Sequence, residues 1–226
     1  MAFAIQYFIS WLLFWFIGWG GIYALPKMIT DYRKNYFFVS AYFLFLSFLM
    51  AYYYKDIIYE IYKNISLFSI FLITILFAFN FLSYGLANKY LRKPTDTLLK
   101  HADIHFLHLD KRYLISKSFD ILYQQILIIV LVFLLKNQGL NLIWISILFA
   151  LIFGFGHIPA IRLNKSFFGT LIFLASIISS FLFPYLILTF KYGFIYTYMA
   201  HWLFYTNTGI LFWVMETIRL KTPSKV

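Results

Sequence analysis

Long apolar runs separated by short clusters of charge set the pattern of this chain. A helix needs about 20 apolar residues to cross a bilayer. Seven runs approach that length: Phe3–Leu25, Tyr36–Tyr54, Ile65–Ala87, Phe119–Leu135, Leu142–Ala160, Phe167–Phe190 and Phe194–Met215. None shows the short alternating segments of a membrane β-barrel. The pattern predicts an all-α polytopic membrane protein of about seven transmembrane helices, forming a single membrane domain over residues 1–226. The first run lacks a basic start and a cleavage site and is too long for the core of a leader peptide, so it reads as the first span.

Composition agrees with the pattern. The chain is 63% hydrophobic and 24% aromatic, with 12% charged residues. A soluble domain carries about 25% charged residues, so this chain cannot cover a water-facing surface. There is no cysteine, which excludes disulfides, a thiolate nucleophile and a thiolate metal site.

The net charge of +11 raises the possibility of nucleic acid as a partner, but its placement points to a bilayer instead. Of 19 basic residues, only Lys55, Lys63, Lys136 and Lys191 fall on one side of a seven-span arrangement. The other side holds Lys27, Arg33 and Lys34, then seven between Lys89 and Lys117, then Arg162, Lys165, Arg219, Lys221 and Lys225. The positive-inside rule then places the N-terminus outside and the C-terminus in the cytoplasm. The expected location is a bacterial inner membrane, with the lipid bilayer as a partner and no nucleic acid.

Residues 98–113 depart from the long-run pattern. Leu98, Ala102, Phe106, Leu109 and Tyr113 form an apolar stripe at helical spacing, beside a stripe of His101, His105, His108 and Arg112. This predicts an amphipathic helix lying in the membrane interface. The spacing of the three histidines also fits a shared metal ion, and the basic residues of this loop favour anionic headgroups. No cofactor is firmly implied.

Polar side chains inside apolar runs are the candidate chemistry, because ionisable groups are expensive in hydrocarbon and tend to mark functional sites. His157 lies in LIFGFGHIPAI and His201 in YTYMAHWLFYTN. Gly154 and Gly156 allow close approach beside His157, and Pro159 ends or kinks the helix. Thr197, His201, Tyr205 and Thr208 share one helix face, with Asn207 off it. Asp120 and Gln124 share a face of the fourth run, and Gln125 points elsewhere. Each of these has a bland alternative. Asp120 can cap a helix N-terminus and pair with Lys117, and each histidine can hydrogen-bond across helices. Asn80 and Gln6 read as such helix–helix contacts.

The order Gln124-Gln125, then Phe153-x3-His157, then His201 resembles the CAAX-protease and bacteriocin-processing (CPBP) family of intramembrane proteases. That family carries EExxxR, FxxxH and HxxxN on successive spans. The resemblance covers residues 118–209. It implies a polar-lined site opening towards the cytoplasm, with His157, His201, Gln124, Gln125, Phe153, Tyr205 and Asn207 on or near its wall.

The chain departs from the family at the residues that do chemistry. Gln124-Gln125 replaces the glutamate pair, Ile129 stands at the arginine position, and Tyr205 stands where the asparagine would be, with Asn207 two residues on. A glutamine amide cannot take a proton from water, although it can hold a water or peptide by hydrogen bonds. The expectation is a catalytically degenerate member that binds a peptide, a lipid-linked substrate or a partner span. One alternative is an active peptidase in which Asp120 serves as base with His157 and His201. A second is a small-molecule or lipid transporter, although no inverted repeat or pair of broken apolar segments is visible.

Overall fold

The computed structural model describes residues 5–24, 31–63, 65–95, 98, 105–154 and 167–221. These fold entirely as helices and connecting turns, with no strand among them. The helices are α1 (Ile5–Ala24), α2 (Tyr36–Tyr53), α3 (Lys55–Tyr62), α4 (Leu67–Tyr90), α5 (Lys111–Lys136), α6 (Leu142–Phe149), α7 (Phe167–Thr189) and α8 (Gly193–Lys221). A 3-10 turn covers His105–His108, and a π-helical turn continues α6 over Ala150–Gly154.

Five helices among the described residues are long and apolar enough to cross a membrane: α1, α2, α4, α5 and α7. The expectation of seven is therefore met only in part. The run expected over 142–160 is a shorter apolar helix over Leu142–Phe153, and residues 155–166 lie outside the description. The run expected over 194–215 falls within α8, which is long at 29 residues. Thr197, His201, Thr206, Asn207 and Thr208 make α8 less apolar than the five. The architecture is compatible with a multi-pass membrane protein. Exposed Phe37, Leu67, Ile70, Phe71 and Ile178 present the apolar surface that such a setting requires.

Helix boundaries also differ from the expectation. α5 begins at Lys111, eight residues before the apolar run that predicts it, because Tyr113, Leu114, Ser116 and Lys117 are themselves buried. α3, with sequence KDIIYEIY, is a short amphipathic helix that buries Ile57 and exposes Lys55, Asp56, Tyr59 and Glu60.

The amphipathic helix expected over 98–113 is not continuous. Its described part is the 3-10 turn, followed by Leu109 in the left-handed region (φ 47°) and the start of α5. Its apolar stripe is covered by protein, since Leu98, Phe106, Leu109 and Tyr113 are all buried. Trp213 on α8 donates its indole N–H to the Leu107 carbonyl (2.7 Å), and Asn88 at the end of α4 donates to the Leu109 carbonyl (3.0 Å). Local periodicity finds an apolar face but cannot tell whether lipid or other helices cover it.

Cα packing divides the chain into two compact units. The first comprises Met1–Ile17, Leu49–Ile65 and Gln124–Thr197. In it Trp11 donates to the Leu127 carbonyl (2.8 Å), Tyr54 donates to the Tyr7 carbonyl (2.7 Å), and α7 packs on α6 and the π-helical turn. The second comprises Gly18–Phe48, Ser66–Tyr123 and Tyr198–Val226. Its core includes Val39, Phe43, Tyr84, Leu107, Tyr123, Trp202 and Trp213. Gly18 meets the Tyr123 ring so closely that a Cβ there would lie 2.3 Å from it. α5 is the most enclosed of the five apolar helices, with 83% of its apolar window buried against 17–33% for the others.

Candidate functional site

The polar core of the second unit is built on Lys117 and Asp120, one turn apart on α5. Asp120 is fully buried and the Lys117 side chain is 9% exposed. Lys117 Nζ donates to Asp120 Oδ2 at 2.6 Å, and the Tyr32 hydroxyl donates to the same oxygen at 3.0 Å. The Tyr205 ring on α8 lies 4.4 Å from Lys117 Nζ, and the Tyr32 ring 5.8 Å, so two aromatic faces flank the ammonium. A buried ion pair survives only when its remaining polar capacity is met by further hydrogen bonds, and Tyr32 supplies one here.

Tyr32 reaches this position because its turn is pinned. Asp31 Oδ1 accepts the backbone N–H groups of Arg33 (2.8 Å) and Lys34 (3.0 Å), an Asx-type turn that leads into α2. Burial pushes the Asp31 carboxyl up, but these two N–H groups, with His105 and Arg33 nearby, outweigh it and hold the carboxyl below the ordinary carboxylate range. Ser116 Oγ donates to the Tyr32 carbonyl at 2.7 Å. The Tyr32 ring stacks on His105 (5.8 Å, 27°) and lies 6.0 Å from Tyr113. Burial, then the Asp120 carboxylate, push the Tyr32 phenol well above its ordinary value, so it remains a donor to that carboxylate.

The sequence-predicted site residues fall as follows. His157, with Gly156 and Pro159, lies outside the described residues, as does His101. His201 is half-buried on α8 and stacks on Tyr205 (5.5 Å, 20°), the ring that also faces Lys117. Asn207 is exposed. Asp120, read as a possible cap, lies within α5 rather than at its start; Asp110 sits at the start and accepts the Arg112 N–H at 2.8 Å. The pairing of Asp120 with Lys117 is present.

Gln124 and Gln125 are buried and belong to the first unit. Gln125 Nε2 lies 3.5 Å from the Thr197 carbonyl, at the limit of a hydrogen bond. Phe153 is buried in the π-helical turn, stacked on Phe149 (4.6 Å, 10°) and 5.9 Å from Trp11. Such turns break the regular helical register and occur often at functional sites. Among the described residues no group of three His, Cys, Asp or Glu could hold a metal; His105 and His108 share the 3-10 turn.

Sequence reasoning missed Tyr32 as a site residue. No local signal marks it, because its partner Asp120 is 88 residues away. The Lys117–Asp120 spacing of three was visible and corresponds to neighbours on a helix surface.

What this arrangement can do chemically is limited. The Oδ2 atom of Asp120 accepts from an ammonium and a phenol, which places this carboxylate in a structural ion pair. No protein-family model matches the chain, and neither a curated protein nor a solved structure matches it.

Proposed function

We propose that this is a multi-pass membrane protein resembling CAAX-type intramembrane proteases that has lost peptide hydrolysis and binds a peptide, a lipid-linked substrate or a partner span. The observation that carries the reading is the Asp120 carboxylate, one oxygen of which is held by both Lys117 and Tyr32. Where the family has two glutamates this chain has Gln124 and Gln125, and the nearest acid on the same helix is held by Lys117 and Tyr32. Loss of a general base typically lowers a rate by about 10²–10⁴-fold. A buried amide pair keeps both donors and acceptors, which suits holding a peptide.

The test compares purified wild type with Asp120→Asn and His157→Ala on prenylated and leader peptides. The expected result is no cleavage by any of the three, with His157→Ala losing a partner that co-purifies with wild type. Robust cleavage by wild type that both variants lose overturns the reading and installs Asp120 as the base.

The proposed topology has the N-terminus outside, seven spans and residues 88–118 in the cytoplasm, supported by the grouping of basic residues. Reporter fusions after Lys63 and after Arg112 are expected to report opposite sides. Both on one side would contradict it.

A further inference from the structure

One end of the second unit carries a group of exposed cations. Three segments meet there. Asn88 of α4 is hydrogen-bonded to Leu109, just before α5, and Ser116 of α5 to the turn carrying Tyr32. These linked segments carry six exposed cations: Lys34, Lys89, Arg92, Lys93, Lys111 and Arg112. Among the described residues none of the six forms an ion pair. Asp31 and Asp110, each within three residues of one of the six, accept backbone N–H groups.

Helix electrostatics do not account for the cluster. Lys89, in the last turn of α4, is favoured by the helix dipole. Lys111 and Arg112 occupy the first turn of α5, where the dipole opposes positive charge, with Asp110 just before them capping the helix. They are better satisfied by an anion from outside the chain. The cluster's depth identifies the anion. Exposed Phe37 and Tyr90, 77% and 69% accessible, flank it at the ends of α2 and α4. Aromatic side chains at the ends of apolar helices mark the headgroup level of a bilayer.

We infer that this end of the second unit is a binding surface for anionic phospholipid headgroups. The phosphates sit among the six cations, and the acyl chains run along the exposed apolar faces of α2 and α4. The surface is separate from the proposed peptide-binding role and does not depend on it.

The experiment uses the full chain purified in a neutral detergent. Phosphatidylglycerol, phosphatidylcholine, inorganic phosphate and a short RNA are added in turn, and thermal unfolding and lipid retention in native mass spectrometry are recorded. Phosphatidylglycerol is expected to raise the unfolding temperature and be retained well beyond phosphatidylcholine. The variant Arg92→Gln/Lys93→Gln/Lys111→Gln/Arg112→Gln should bind it at least about tenfold more weakly, since each cation near an anionic surface contributes roughly fivefold. The wild-type preference should also vanish in about 1 M salt, where the Debye length is about 3 Å, which decides the matter if the variant does not fold. Equal effects of the two lipids, or a preference that survives high salt or all four substitutions, overturns the proposal. A response to inorganic phosphate or RNA matching that to phosphatidylglycerol shows an unspecific anion surface and overturns it as well.

Discussion

Lys117→Met is expected to destabilise the protein by about 3–5 kcal/mol, because it leaves the Asp120 carboxylate buried without its charge partner. The geometry behind this number is direct: a 2.6 Å contact between an ammonium that is 9% exposed and a carboxylate that is fully enclosed. Removing both charges is a different experiment. In Lys117→Met/Asp120→Leu no ion is buried, and such replacements are often neutral or stabilising by about 1–4 kcal/mol. The double variant is therefore expected to recover most of the loss, although the Tyr32 hydroxyl then needs a new acceptor. Denaturation in SDS followed by circular dichroism of wild type, Lys117→Met, Asp120→Leu and the double variant gives the three differences needed for a double-mutant cycle. A Lys117→Met variant as stable as wild type would show that Asp120 does not need its charge neutralised. The central observation behind the proposed loss of hydrolysis would then fail.

Gly209→Leu is expected to have the next largest effect. Gly209 lies on α8 where the 3-10 turn crosses it, and a Cβ there would meet the Phe106 carbonyl oxygen at 2.7 Å and Leu109 Cδ2 at 2.9 Å. The first obstacle is backbone and cannot rotate aside, so the turn must move. Overpacking of this kind costs typically about 1–3 kcal/mol. The same shift strains the Trp213 bond to Leu107 and the contact of Phe106 with Tyr205 at 5.6 Å, and so reaches the ring that faces Lys117. Gly85→Ala is the control. No atom lies within 4 Å of a Cβ at Gly85, inside α4, so the change should preserve or raise stability by about 0.5–1 kcal/mol. Equal melting behaviour for Gly209→Leu and wild type would mean that the turn does not rest on α8 as described.

Much of the helical layout was legible before any coordinates. Runs of apolar residues about as long as a bilayer is thick leave few alternatives to helices, and each of the seven predicted runs overlaps a helix. What the runs could not define was helix length. α5 starts early because Lys117 and Ser116, polar by type, are satisfied by Asp120 and by the Tyr32 carbonyl respectively. A hydropathy reading treats them as loop. The amphipathic stripe at 98–113 erred in the other direction. Its described apolar residues are buried, with Leu107 bonded to Trp213 of α8 and Leu109 to Asn88 of α4.

The candidate chemistry divides in the same way. Sequence by itself determined which side chains are available: no thiol, no pair of adjacent glutamates, two histidines in apolar runs, and an acid three residues after a lysine. Those are facts of side-chain type and local spacing, and a helix converts spacing of three or four into adjacency without help from the rest of the fold. Only the tertiary structure decided that Asp120 is shared between Lys117 and Tyr32, that Tyr205 faces Lys117 while stacking on His201, and that Asp110 rather than Asp120 stands at the start of α5. The Tyr32 contact bridges 88 residues of sequence, and no periodicity spans that distance. Side chains so far apart meet only because packing of the intervening helices brings them together.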